Sequence, residues 1–196
     1  MPVARSRLVP AAIFPAGQMS RWRDGRVRVT MAVAALIIVL LLAAAWRDVA
    51  SRIIPNGIAA SIAVVGLGWR VSMGLQALGE TLAASAVLFL ILMLIYSRRA
   101  LGGGDVKLAV AMALCFSPWD TYRFVFLTAL AGGILSAAYL AMRLLPAIAR
   151  LPGRSNLLSR VYVIERRRIR RRGPLPYGVA IAAGGCLTLV DLIGRQ

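Results

Sequence analysis

Histidine is absent from the 196 residues. That excludes Ser-His-Asp and Cys-His nucleophilic catalysis, the zinc motif H-E-x-x-H and histidine metal clusters. Lysine occurs once, at Lys107, cysteine twice, at Cys115 and Cys186, and there are seven acidic residues. Both cysteines lie in apolar runs and form no C-x-x-C. A zinc knuckle, a redox motif and a disulfide are therefore not expected, and the pair reads as small apolar packing residues. No cofactor or metal is expected. Charge is also scarce: 16 % of residues carry it, against about a quarter in soluble domains.

Apolar residues are abundant. They make up 60 % of the chain, and the mean hydropathy is +0.76. A soluble domain would be less apolar, and a disordered basic chain would lack the aliphatic runs. The formal net charge of +17 first suggests nucleic acid. Yet 23 of the 24 basic residues are arginines set between apolar runs. Anionic lipid headgroups explain that placement better, so anionic membrane lipids are the expected partner and nucleic acid is not.

The uncharged runs cover 29–46, 53–69, 81–97, 108–119, 124–142 and 173–190. A hydrocarbon core about 30 Å thick takes about 20 helical residues to cross. The reading is an all-α polytopic membrane protein with six spans. The fourth run has only 12 residues, which suits a short helix shielded by its neighbours. With six crossings, the loops after spans 1, 3 and 5 share one face. That face holds 15 basic residues and the other 9, or 3 once residues 1–30 are set aside. The positive-inside rule makes the richer face cytoplasmic. Met31 opens the first span and marks an alternative start. The expected organisation is a basic tail, 1–30, and a membrane-embedded domain, 31–194. The long segment 146–174 carries an arginine block, and its 157–172 stretch reads as an amphipathic helix on the anionic inner leaflet.

A charge at membrane depth costs several kcal/mol, so each acid there is a functional candidate. Asp24 lies in the tail, and Glu165 has arginines beside it. Glu80, Asp120 and Asp191 fall at loop edges on the arginine-poor face. Asp48 and Asp105 remain. Asp48 ends span 1 and Asp105 begins span 4. Two spans separate them, so they emerge on the same, cytoplasmic, face. Gly102, Gly103 and Gly104 precede Asp105 and permit close backbone approach. Pro55 and Asn56 open span 2 in an Ile-Pro-Asn-Gly turn.

Each acid has a plain structural alternative. Asp105 can cap span 4, and Asp48 can pair with Arg47 or Arg52. Together they fit aspartyl proteolysis, in which two carboxyls share a proton, activate water and protonate the leaving amine. A Ser-Lys dyad on Lys107 is disfavoured, because Asp105 two residues away holds the ammonium charged.

Three segments resemble the prepilin peptidases, the type IV leader peptidases of the G-x-G-D aspartyl class. They are Arg47-Asp48 with 52–56, the Leu-Gly-Gly-Gly-Asp-Val-Lys-Leu stretch 101–108, and Leu-Pro-Tyr-Gly at 175–178. The nearest likeness is to the short form of tight-adherence (Flp) pilus systems, over residues 31–194. The resemblance implies Asp48 and Asp105 as the catalytic pair. It implies removal of a basic leader from a prepilin or pseudopilin at the cytoplasmic side of the inner membrane. Cleft candidates are Gly102, Gly103, Gly104, Lys107, Pro55, Asn56, Pro176, Tyr177 and Gly178. Methyltransferase activity is not expected, because the paired C-x-x-C motifs of larger members are missing. Two other classes stay open: a proton-coupled transporter using Asp48 and Asp105 as a relay, and a catalytically silent scaffold for pilus assembly.

Overall fold

A computed structural model describes residues 16–99, 101–144 and 176–195. Among them are six helices: α1 (Ala16–Ser51), α2 (Asn56–Ser72), α3 (Leu75–Ser97), α4 (Gly103–Ala113), α5 (Pro118–Leu144) and α6 (Tyr177–Gly194). The described residues contain no strand. The protein is an all-α polytopic membrane protein. Helices α1, α3, α5 and α6 are long and apolar enough to cross a bilayer. The expected amphipathic helix at 157–172 lies outside the described residues.

The helix bounds follow local chemistry. Pro55 precedes α2 and Pro176 precedes α6, where the missing N–H is harmless and the fixed φ suits entry. Helix α1 starts well ahead of the first apolar run and passes through Met31 without a break. The fourth element differs from expectation. The run 108–119 is not one helix: α4 begins five residues earlier and stops at Ala113. Pro118 is the cause, since the residue before a proline is driven out of helical geometry. Ser117 therefore ends the turn, and Pro118 and Trp119 open α5.

Packing explains how so short a helix sits in a membrane protein. Helix α4 is central, contacting α2, α3 and α6. Its Leu108, Met112 and Ala113 are fully buried. The core continues through Ile37 and Leu41 of α1, Ile62 of α2, Phe124 of α5 and Ile181 of α6. Large apolar side chains such as Val39, Val64, Leu90, Leu94, Ile134 and Val190 point outward, as lipid contact requires. Small residues set the close approaches. A Cβ on Gly66 would run into Cys115 Sγ, and one on Gly184 would lie 2.7 Å from the Thr128 backbone nitrogen. Both cysteines are free, and Cys115 is buried among apolar neighbours, in the packing role expected of it.

The two ends of the bundle differ. One end gathers the close of α1 and the starts of α2, α4 and α6; it carries Asp48 and Asp105 and is called the acid end. The far end gathers the close of α2, the starts of α3 and α5, and the close of α6. There Glu80, Asp120 and Asp191 stand together, as the count of crossings requires.

Candidate active site

Asp48 lies on the last turn of α1 and is only 6 % exposed. Its Oδ2 accepts a hydrogen bond of 2.9 Å from the backbone N–H of Gly178. Gly178 is the second residue of α6, so the positive end of that helix faces the carboxyl. The contact leaves no room for a side chain. A Cβ on Gly178 would sit 2.8 Å from Asp48 Oδ2. The glycine of the Pro-Tyr-Gly segment is therefore a steric requirement of Asp48.

Asp105 stands in the first turn of α4, ahead of the apolar run 108–119. It is not the cap of that helix, as the simplest structural reading had it. Gly102 takes the cap position, and the Asp105 carboxylate reaches back to the Gly102 backbone N–H. This is the acidic half of a capping box, with a glycine in the place of the usual Ser or Thr. A Cβ on Gly102 would come within 2.8 Å of Asp105 Oδ2. Gly104 lies under Ile54, and Gly103 under the ring of Tyr96. The glycine run thus lets the α2 entry and the end of α3 close over the start of α4.

The two acids feel each other. The Asp105 carboxyl is pushed up to about 6, first by burial and then by the charge of Asp48. The Gly102 hydrogen bond and the Arg52 charge act in the opposite direction. Arg52 follows α1 in a left-handed conformation, φ 57°, and its backbone N–H donates to the Asp48 carbonyl at 2.9 Å. From the sequence, Arg52 is expected only as a partner of Asp48. In the structure its charge bears on Asp105. Tyr96 was not foreseen, and no motif marks it; Ile54 opens the Ile-Pro-Asn-Gly turn but was not among the candidate site residues.

The other candidates divide. Lys107 Nζ donates to Asn56 Oδ1 at 3.1 Å, joining α4 to α2. That pair lines a groove of about 350 Å³ with Ala59, Ala63, Phe89 and Val110. Tyr177 packs on Gly132 of α5 and lines a second cavity, of about 450 Å³, with Leu101, Leu88, Phe124 and Ile181. Pro55 and Pro176 serve as helix caps. Among the described residues no group of three or more Cys, Asp or Glu could hold a metal ion.

Two carboxyls from different helices, one raised by burial and then by the charge of the other, have the character of an acid and a base that share a proton. A family model of the type IV leader peptidases matches residues 35–137, a stretch that contains both acids. The chain belongs to the type IV leader peptidase family. The peptidase is therefore a membrane-associated protease. Gly178 lies beyond the matched stretch, so its contact with Asp48 is a finding of the structure alone. No curated protein and no solved structure matches the chain.

Proposed function

We propose that the peptidase is an aspartyl endopeptidase that removes the basic leader of a type IV prepilin or pseudopilin, of the Flp kind. The observation that carries this is the pairing of Asp48 and Asp105 in unlike surroundings. Asp48 accepts an N–H at the start of α6. Asp105 is raised to about 6 by burial and by Asp48. Asp48 acts as the base that takes a proton from the attacking water while protonated Asp105 gives its proton to the carbonyl oxygen; when the gem-diol collapses, the proton on Asp48 passes to the leaving amine and Asp105 recovers one from a gem-diol hydroxyl. Arg52 limits the rise at Asp105, so the proton remains transferable.

The arginine-rich side of the chain supports a cytoplasmic acid end in the inner membrane. The arginines of segment 146–174, outside the described residues, suit anionic headgroups. The peptidase unit covers 31–194, with 1–30 as a basic tail. A relay across the membrane is less well supported, because both acids lie at one end of the bundle.

The test is co-expression with a candidate prepilin and a mobility-shift readout of leader removal. Asp48→Asn and Asp105→Asn should each leave the protein in the membrane and the prepilin uncleaved. Cleavage at the wild-type rate by both variants overturns the mechanism and favours the silent scaffold.

A further inference from the structure

The far end of α4 carries a construction that proteolysis at the acid end does not use. Helix α4 has 11 residues, about 16 Å at 1.5 Å per residue, roughly half the hydrocarbon thickness. Its last carbonyls lack helical partners. A tight turn continues it to Phe116 through backbone bonds from Leu114, Cys115 and Phe116. The carbonyl of Phe116 accepts the Thr81 hydroxyl at 2.9 Å. Thr81 is fully buried and in turn accepts Arg70 Nε–H at 2.6 Å. Arg70, at the end of α2, is only 8 % exposed. It also donates to the Ala77 carbonyl at 3.1 Å and lies against Met73 Sδ at 3.3 Å. The charges of Glu80 and Asp120 face it. One guanidinium and one hydroxyl thus tie α2, α3 and the last turn of α4 together.

Apolar packing is not directional. Leu108 and Met112 hold α4 in the core, but do not by themselves set its position along its axis. Directional hydrogen bonds do. A hydrogen-bonded helix has a fixed rise of about 1.5 Å per residue, and the turn bonds continue it to Phe116, so a stop at Phe116 also sets the height of Asp105 at the other end.

We propose that Arg70 and Thr81 are positioning residues: a hydrogen-bonded stop, on the opposite side of the bundle, that fixes the axial placement of Asp105 relative to Asp48. This rests on the peptidase reading. Three variants test it in a steady-state cleavage assay on one prepilin. Thr81→Val keeps the shape and loses the hydroxyl, and should lower kcat about tenfold or more, with KM within about twofold. Its alkaline activity limb should move to lower pH, because withdrawal from Asp48 removes part of what raises Asp105. Thr81→Ser keeps the hydroxyl and should restore both. If Thr81→Val fails to accumulate in membranes, Arg70→Lys, charged but without Nε–H, carries the same test. A wild-type kcat and pH limb in the variant lacking the bond overturns the proposal. So does equal damage from Thr81→Ser. Failure of the peptidase reading is separate, and shows as wild-type cleavage by Asp105→Asn.

Discussion

At the acid end of the bundle, the charge of one carboxyl bears on a second, with Arg52 acting the other way; at the far end, Asp120 and Asp191 are paired with arginines. Arg123 pairs with Asp191 at 2.6 Å, Arg195 bridges to Asp191 and lies 3.6 Å from Asp120, and Ser117 caps α5, its Oγ accepting the Asp120 N–H at 3.2 Å and donating to Asp120 Oδ2 at 2.6 Å. Arg70 is held by Thr81 and Ala77. The far end therefore has the character of a clasp. The acid end has unlike burial, a shared charge and backbone N–H donors, and it holds Asp105 away from its ordinary state. The far-end acids are matched by cations, whereas Asp105 is set against a second carboxyl, a contrast expected where an acid is tuned for chemistry.

The strongest way to break this comparison is at the pair itself. Asp48→Asn or Asp105→Asn should lower cleavage by about 10²–10⁴-fold, the range of general acid–base contributions. Next comes Gly178→Ala, read in the same gel assay. The added methyl would sit 2.8 Å from Asp48 Oδ2 and 3.0 Å from its Cβ. Cleavage should fall by up to about 10²-fold, as for an ångström-scale misplacement, with helix content by circular dichroism unchanged. An active Gly178→Ala enzyme would detach Asp48 from the start of α6.

Gly184→Ala separates packing from chemistry. Its methyl would meet Thr128 Oγ1 at contact too close to survive and the Thr128 backbone at 2.7 Å. Thermal unfolding in detergent should show a loss of about 1–3 kcal/mol, while the folded fraction keeps its pH profile. The pH dependence of Asp105→Asn sharpens the contrast further. Because the folded carboxyl is raised from 3.8 to about 6, the native state binds more protons than the unfolded one between those values. Its contribution to stability is present below about pH 4 and is lost as pH rises through about 6. The amide variant should therefore unfold at an equal or higher temperature than wild type at pH 7.5, and lose that advantage near pH 4. A variant that is less stable at pH 7.5 would make Asp105 a structural cap. The smallest effect belongs to the far end. Asp191→Asn removes half-exposed ion pairs, for which about 0–1 kcal/mol is usual, and leader removal should be unaffected.

Much of this was legible in the chain. Composition and run lengths pointed to six membrane helices, because a bilayer demands about 20 apolar residues per crossing whatever the packing. Counting crossings put Asp48 with Asp105 and Glu80 with Asp120 and Asp191. The limits of that reading were local. The run 108–119 reads as one helix until the effect of Pro118 on Ser117 is weighed, and the short α4 becomes reasonable only once α2, α3 and α6 surround it. Nothing in the spacing of Arg70 and Thr81 announces a bond to the Phe116 carbonyl, since the three sit on different helices.

Hydropathy and charge order alone determined the fold class, the six helices seen among the described residues and which acids share an end, because those follow from transfer energies that each segment carries by itself. Tertiary structure alone decided that Gly178 presents its amide to Asp48, that Gly102 rather than Asp105 caps α4, and that a buried arginine anchors the opposite end of that helix. These are contacts between segments distant in the chain, and their energies exist only once the helices are packed together.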